Sequence, residues 1–158
     1  MIRRANADDV EVLTEISFAS KRYWNYPEEY YDIWSRELTI SAGYIQNNDV
    51  FVFAKDDTVY SYYSIVELKE NMEVSGISIP RGYWLDHMFV TPLRIGKGTG
   101  SKMFTHVREI CATRGIKRLG ILADPYAKEF YEKMGCVYIG EFQSTIEGRT
   151  TPYLQLTL

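Results

Sequence analysis

The chain has 158 residues, 46% hydrophobic and 25% charged, with a net charge of −3. That length suits one domain with a core of its own, and the composition is that of a soluble globular protein. The mild acidity and the lack of a basic run argue against a nucleic-acid surface, and no segment is long and apolar enough to span a bilayer.

MIRR (1–4) reads as a short opening strand, and Asn6 is placed to cap a helix from about Asp8 to Ala19 with acidic residues in its first turn. No long apolar stretch follows the two arginines, so the N-terminus predicts no secretory signal. SKRYWNY (20–26) interrupts that helix, and Pro27 opens the next, PEEYYDIWSREL. VFVFAK (50–55) and TVYSYYSIVELK (58–69) predict a hairpin turning at Asp56–Asp57. Residues 69–82 are polar and carry Gly76, Pro80 and Gly82, which predicts a loop or an extended hairpin tip. YWLDHMFV (83–90) is a strand that Pro92 stops. A helix over 98–114 places Met103, Phe104, Val107, Ile110 and Cys111 on one face, and Gly115 closes it. RLGILA (118–123) is a short buried strand, PYAKEFYEKMG (125–135) a helix between Pro125 and Gly135, and VYIGEF (137–142) and PYLQLTL (152–158) the last strands. There is no internal repeat, low-complexity tract or linker, so one domain over 1–158 is expected, α/β in class.

Between a strand and a helix lies RIGKGTGSKMF (94–104). It is not a Walker A loop, because no glycine precedes Lys102 and Ser101 stands before it, and the strict alternation of Gly96, Gly98 and Gly100 does not fit GxGxxG. Its position is informative all the same. Successive N–H groups at a helix N-terminus, unobstructed by Cβ atoms, form an anion cradle that suits a diphosphate. The plainer alternative is a flexible strand–helix turn with incidental glycines.

FVTPLRIGKGTGSKMF (89–104) resembles the acyl-CoA-binding motif of the GNAT acetyltransferase superfamily, a strand, Val-x-Pro and then [Q/R]xxGx[G/A]. DPYAKEFYEKMGCVYIGE (124–141) resembles that family's next motif, NxxAxxFYxKxGF. The resemblance implies a mixed, mostly antiparallel central sheet flanked by helices, and acetyl-CoA as cosubstrate. It further implies that acyl-CoA is held by Met88, Phe89 and Val90, by Ile95, Gly96, Lys97, Gly98, Thr99, Gly100 and Ser101, and by Asp124, Ala127 and Phe130. Three positions depart from the family pattern. Ile95 stands at the Gln/Arg position, with Arg94 one residue early; it has a backbone N–H to lend but no side-chain donor. Asp124 replaces the family's Asn, and a carboxylate cannot donate as an amide does. Trp84 stands where many relatives carry a glutamate base, while Asp86 lies two residues on and so on the same strand face.

The implied chemistry is direct attack of an amine on the acetyl group. An amine with a pKa of about 10.4 is protonated near neutrality, so a base or water chain must take its proton, and the leaving thiolate needs a proton or a dipole. Tyr131 falls at the family's tyrosine and is the candidate general acid, the alternative being a core tyrosine beside Phe130. Asp86 is the candidate base, directly or through water. His87 alternates to the opposite face and is expected to pack, and His106 flanks the helix stripe. No two His, Cys or acidic residues show ligand spacing, so no metal is expected. Cys111 and Cys136 are far apart and read as reduced thiols; with no export signal, a cytoplasmic protein is expected. A thioester on Cys136 is not expected, since no partner base is evident.

Among 13 tyrosines and 3 tryptophans, Tyr23, Trp24, Tyr26, Tyr30, Tyr31 and Trp34 crowd together, in a region that lines the acceptor groove in the GNAT family. Tyr23, Trp24 and Tyr26, with Trp84, are the candidate acceptor-binding residues for an apolar or cationic acceptor, the rest being packing. Arg149 and Ser144 could meet an acidic group on the acceptor, with a surface salt bridge the rival role for Arg149. The function expected is acetyl transfer to an amine of a small molecule or peptide. The rival is a non-catalytic acyl-CoA-binding sensor or regulatory module. A homodimer is implied by the family alone, and neither nucleic acid nor membrane is an expected partner.

Overall fold

The computed structural model describes residues 1–74 and 76–158. Strands β1 (Ile2–Arg4), β2 (Asp49–Lys55), β3 (Thr58–Leu68), β6 (Gly82–Val90), β7 (Arg118–Leu122), β8 (Val137–Gln143) and β9 (Thr150–Thr157) form one seven-stranded sheet in the order β1-β2-β3-β6-β7-β9-β8. The pairs β1–β2, β2–β3, β7–β9 and β8–β9 are antiparallel, and β6–β7 is parallel. Helices α1 (Val10–Arg22), α2 (Glu28–Leu38), α3 (Ala42–Asn47), α4 (Thr99–Arg114) and α5 (Lys128–Lys133) complete the α/β fold, a mostly antiparallel sheet flanked by helices. The chain divides into two compact units, Met1–Ile65 with His87–Thr105, and Val66–Asp86 with His106–Leu158.

The first unit is organised by alternation along two strands. Val50 and Val52 of β2 stand opposite Ser64 and Tyr62 of β3. They pack with Leu13 and Ile16 of α1, with Ile40, and with Ile45 of α3 into one buried cluster. Phe51 faces the other way and stacks on Tyr63 at 5.4 Å. This is the period-2 pattern of VFVFAK and YSYYSIV with both faces covered. Asn6 caps the first turn as expected: its Oδ1 accepts from Asp8 N at 2.9 Å, while Asp9 Oδ2 accepts from Asn6 N at 2.8 Å, a reciprocal capping box. The first turn, Ala7–Asp9, is 3-10, and α1 then runs on to Arg22, past the expected end at Ala19. Lys21 and Arg22 suit a last turn where the carbonyl ends carry negative partial charge, and the break comes later, at Asn25 with φ +56°. Helix α3 has no counterpart in the sequence reading; Ser41 caps it by accepting from Tyr44 N at 3.1 Å.

Asp9 is buried and accepts from both terminal nitrogens of Arg3, Nη1 at 2.8 Å and Nη2 at 2.9 Å. The Arg3 hydrogen bonds hold its carboxyl below the ordinary range against the opposing effect of burial. Such a group stabilises the fold fully above its unfolded pKa of about 3.9, and the contribution is lost as the pH falls through the lower folded value. Asp9→Asn is therefore expected to lower stability by about 1.5–3 kcal/mol at pH 7, the range for charged hydrogen bonds. In urea unfolding the deficit should shrink steadily below pH 4.

In the second unit, Leu119 and Ile121 of β7 and Leu154 and Leu156 of β9 are fully or almost fully buried on facing register positions. Tyr83–Leu85 of β6 pair in parallel with Leu119–Ile121. Within 69–82, β4 (Met72–Val74) pairs antiparallel with β5 (Ile77–Ile79), and Ser75 of that segment lies outside the described residues. Residues 125–135 begin with a 3-10 turn, Pro125–Ala127, before α5. Among the described residues no helix is long and apolar enough to cross a membrane.

Candidate functional site

The glycine loop belongs to the first unit. After β6 a 3-10 turn, Pro92–Arg94, is closed by Ile95 N donating to Pro92 O at 3.3 Å, so the Ile95 amide serves the turn. The chain then passes through Gly96 at φ +78° and Gly98 at φ +82° and enters α4 at Thr99. Those angles favour glycine, and a Cβ built on either residue meets nothing within 4 Å. Open space therefore lies over the loop. A helix leaves its first N–H groups without intrahelical acceptors, here those of Thr99, Gly100 and Ser101, while Lys102 N donates to Gly98 O at 3.1 Å. Lys97 and Ser101 are exposed and Thr99 is buried. Arg94 lays its guanidinium over the Tyr60 ring at 4.2 Å. Loop and helix start together offer backbone donors, and the dipole end of a 16-residue helix, to an anion. The helix is anchored by Met103, Phe104, Val107 and Cys111, all fully buried; Ile110 of the expected stripe is half-buried.

The end of β6 is tied to β3 by side chains. Ser61 Oγ donates to Phe89 O at 2.8 Å, and His87 N donates to Ser64 Oγ at 3.1 Å. Backbone polar groups alternate edges along a strand, so those of His87 and Phe89 point to β3 and those of Met88 point to the opposite edge. Met88, Phe89 and Val90 are all half-buried. The His87 ring packs 5.6–6.1 Å from the rings of Phe89, Tyr44 and Tyr62, the packing role expected of it. Asp86, on the other strand face, is exposed. Trp84 is 7% exposed; its Nε1 donates to Pro80 O at 2.9 Å, and its ring lies so close over Gly120 that a Cβ there would come within 2.7 Å. Of the four candidate acceptor residues it is the one that is buried.

Asp124, Ala127, Phe130 and Tyr131 lie in the second unit. Asp124 caps the 3-10 turn before α5, its Oδ1 accepting from Tyr126 N at 3.0 Å, while Ala127 N closes on Asp124 O at 2.8 Å. Arg149 Nη2 stands 3.9 Å from Asp124 Oδ2, with both side chains largely buried. Arg149 thus has the salt-bridge role, made with the residue that replaces the family's Asn. Tyr131 is 6% exposed and meets Phe130 edge to face at 5.2 Å. Burial first, and then the Cys136 and Asp124 charges, push its phenol above the ordinary range, so the hydroxyl stays protonated and able to donate. Burial likewise pushes the Cys136 thiol up to about 11 although Arg108 lowers it, which disfavours a nucleophilic thiolate. His106 is half-buried, and its pKa is lowered by that burial against the pull of Glu109. Among the described residues no group of three or more His, Cys, Asp or Glu is arranged to hold a metal ion.

Tyr26, Tyr30 and Tyr31 ring Trp34 at 5.1–5.6 Å, and Lys21 Nζ sits 4.5 Å over the Trp34 ring. Tyr26 therefore belongs to a packed cluster that already holds a cation. Tyr23 and Trp24 meet edge to face at 4.7 Å, and Tyr23 is 48% exposed. Sequence reasoning missed Lys21, Ser61 and Ser64. The serines had a signal, two hydroxyls in the aromatic run YSYYSIV, but their partners are remote in sequence.

Residues 33–153 match the family described as the acetyltransferase (GNAT) domain. The fold is shared with solved structures of low identity. A GNAT N-acetyltransferase from Rhodopseudomonas palustris is 18% identical with a TM-score of 0.78, covering 100% of this chain and 95% of its own. The PaiA N-acetyltransferase of Thermoplasma acidophilum, solved with coenzyme A, is 17% identical with a TM-score of 0.76, over 100% of this chain and 98% of its own. A GNAT-family acetyltransferase from Brucella melitensis, solved with acetyl-CoA, is 18% identical with a TM-score of 0.59, over 99% and 86%. Comparison with curated proteins gives no match.

Proposed function

Because the chain belongs to the GNAT acetyltransferase family, we propose that it transfers the acetyl group of acetyl-CoA to an amine of a small molecule or peptide by direct attack. The observation that carries this reading is the open glycine loop, where left-handed Gly96 and Gly98 clear the space over the start of α4. The loop fits a diphosphate, and two of the structures of shared fold were solved with CoA or acetyl-CoA. Acetyl-CoA supplies the acyl group as a thioester. In this reading the backbone N–H groups of Gly96 and of Gly98 to Ser101 bind the pyrophosphate, while Lys97 N donates to Arg94 O at 3.3 Å. Met88, through the N–H and C=O that point away from β3, orients the thioester arm, with Phe89 and Val90 beside it. Asp124, Ala127 and Phe130 are assigned to the same ligand by the family motif. Tyr23 and Trp24 are the acceptor-side residues that stand on an exposed turn. We place the enzyme in the cytoplasm and, by family likeness, as a homodimer.

Proton removal from the amine is assigned to Asp86, directly or through one water, since it is exposed on β6. Asp86→Asn is expected to lower kcat about 10-fold or more while leaving the calorimetric affinity for CoA at wild type. An unchanged kcat would give Asp86 a structural role. The test of the function itself is acetyl-CoA consumption against a panel of amines: small amines, amino acids, aminoglycosides and peptide N-termini. Turnover with any of them supports transfer, whereas tight CoA binding with no turnover across the panel would favour an acyl-CoA sensor.

A further inference from the structure

We propose that Ser61 and Ser64 of β3, with Tyr44 of α3, are positioning residues that set the Met88–Val90 segment for the thioester arm, an inference that rests on the acyl-CoA reading above. Both serines are fully buried, in a strand whose other inward positions are Tyr62, Tyr63 and Ile65. A buried hydroxyl is costly unless it is hydrogen-bonded. Here both hydroxyls are satisfied at the same short stretch of β6: Ser61 at Phe89 O, Ser64 at His87 N. Ser64 Oγ also bonds Tyr44 Oη at 2.7 Å, so a chain of contacts runs from α3 through β3 to β6.

The two serines lie on opposite faces of the sheet. Ser61 pairs with Phe53 and Ser64 with Val50, residues that alternate across β2. The β6 backbone is thus held from both faces, at His87 and at Phe89, on either side of Met88. Pinning these two neighbours on the β3 edge sets the direction in which the Met88 N–H and C=O point on the other edge. A ladder of backbone bonds aligns strands but leaves their twist adjustable. A side-chain bond from each face removes that freedom.

A control is available within the same unit. Ser17 is also fully buried, and its hydroxyl donates to Leu13 O at 2.9 Å and meets Tyr62 Oη at 2.5 Å without touching β6. Ser61→Ala, Ser64→Ala and Ser17→Ala are compared by thermal unfolding and by calorimetry with acetyl-CoA. All three should lose stability. Only Ser61→Ala and Ser64→Ala should weaken acetyl-CoA, with Kd raised roughly 10-fold, the equivalent of one good hydrogen bond. Ser64→Thr, which keeps the hydroxyl, should restore the affinity. Wild-type affinity in both β6-facing alanine variants, or an equal loss in Ser17→Ala, would overturn the positioning role. If the wild-type protein binds no acetyl-CoA, the acyl-CoA reading is what has failed, and this inference falls with it.

Discussion

Gly98→Val is expected to abolish measurable CoA binding in calorimetry while leaving the protein folded. Gly98 has φ +82°, a conformation that costs a side-chain-bearing residue roughly 1–2 kcal/mol and a β-branched one more. That strain is small beside a total stability of about 5–15 kcal/mol, so the fold should survive. The new side chain would meet no protein atom, since a Cβ at this position finds nothing within 4 Å. What it would obstruct is the space over the N–H groups at the start of α4. Strain and obstruction can be separated with Gly98→Asn, because asparagine tolerates the left-handed region yet still carries a side chain. If both variants lose CoA, the backbone must lie close to the ligand. If Asn binds like wild type and Val does not, the loop conformation is the cause. CoA affinity unchanged in a folded Gly98→Val protein would remove the loop from the site.

Legibility in the sequence followed the range of the interactions. The cap at Asn6, the helix opening at Pro27 and the glycine loop before α4 depend on residues within a few positions of one another, and all were readable. Most of the order of strands and helices was readable too, because the hydrophobic period changes at each element, while the likeness to GNAT acetyltransferases lay in the two motifs at 89–104 and 124–141. Helix α3 was not: it has 6 residues and a single buried apolar one, Ile45, too few to show a period. The enclosure of Trp84 was also hidden. It follows from the register that sets Trp84 opposite Gly120, and register is a tertiary property. The same holds for the Arg149–Asp124 pair and for the serines of β3. Their residue types were visible as polar positions, but burial and partner are decided by strands far along the chain.

Tyr131→Phe is expected to lower kcat by about 10-fold or more with CoA affinity near wild type, within the range for loss of a hydrogen-bond donor to developing charge. The ring is nearly enclosed and packs edge to face on Phe130, and phenylalanine preserves both features, so folding should be little affected. The phenol is held above its ordinary range by burial, with further contributions from Cys136 and Asp124. A departing thiolate with a pKa of about 8.5 is a weaker base than such a phenolate, so full proton transfer is not driven. In the proposed role the hydroxyl would act instead as a donor to the charge growing on sulfur, and low exposure would make that hydrogen bond count for more than it does in water. The pH dependence follows with its sign. A donor whose pKa is raised remains protonated below that value and is lost only as the pH climbs through it, above the ordinary 10 of a tyrosine. Any alkaline limb seen in kcat below pH 10 must therefore belong to another group and should persist, at the same pH, in Tyr131→Phe. The comparison needs saturating acceptor and a chemical step shown to limit the rate. An unchanged kcat under those conditions would make Tyr131 a packing residue. An alkaline limb that vanished in Tyr131→Phe would mean that the phenol ionises in the working range, against the effect of its burial.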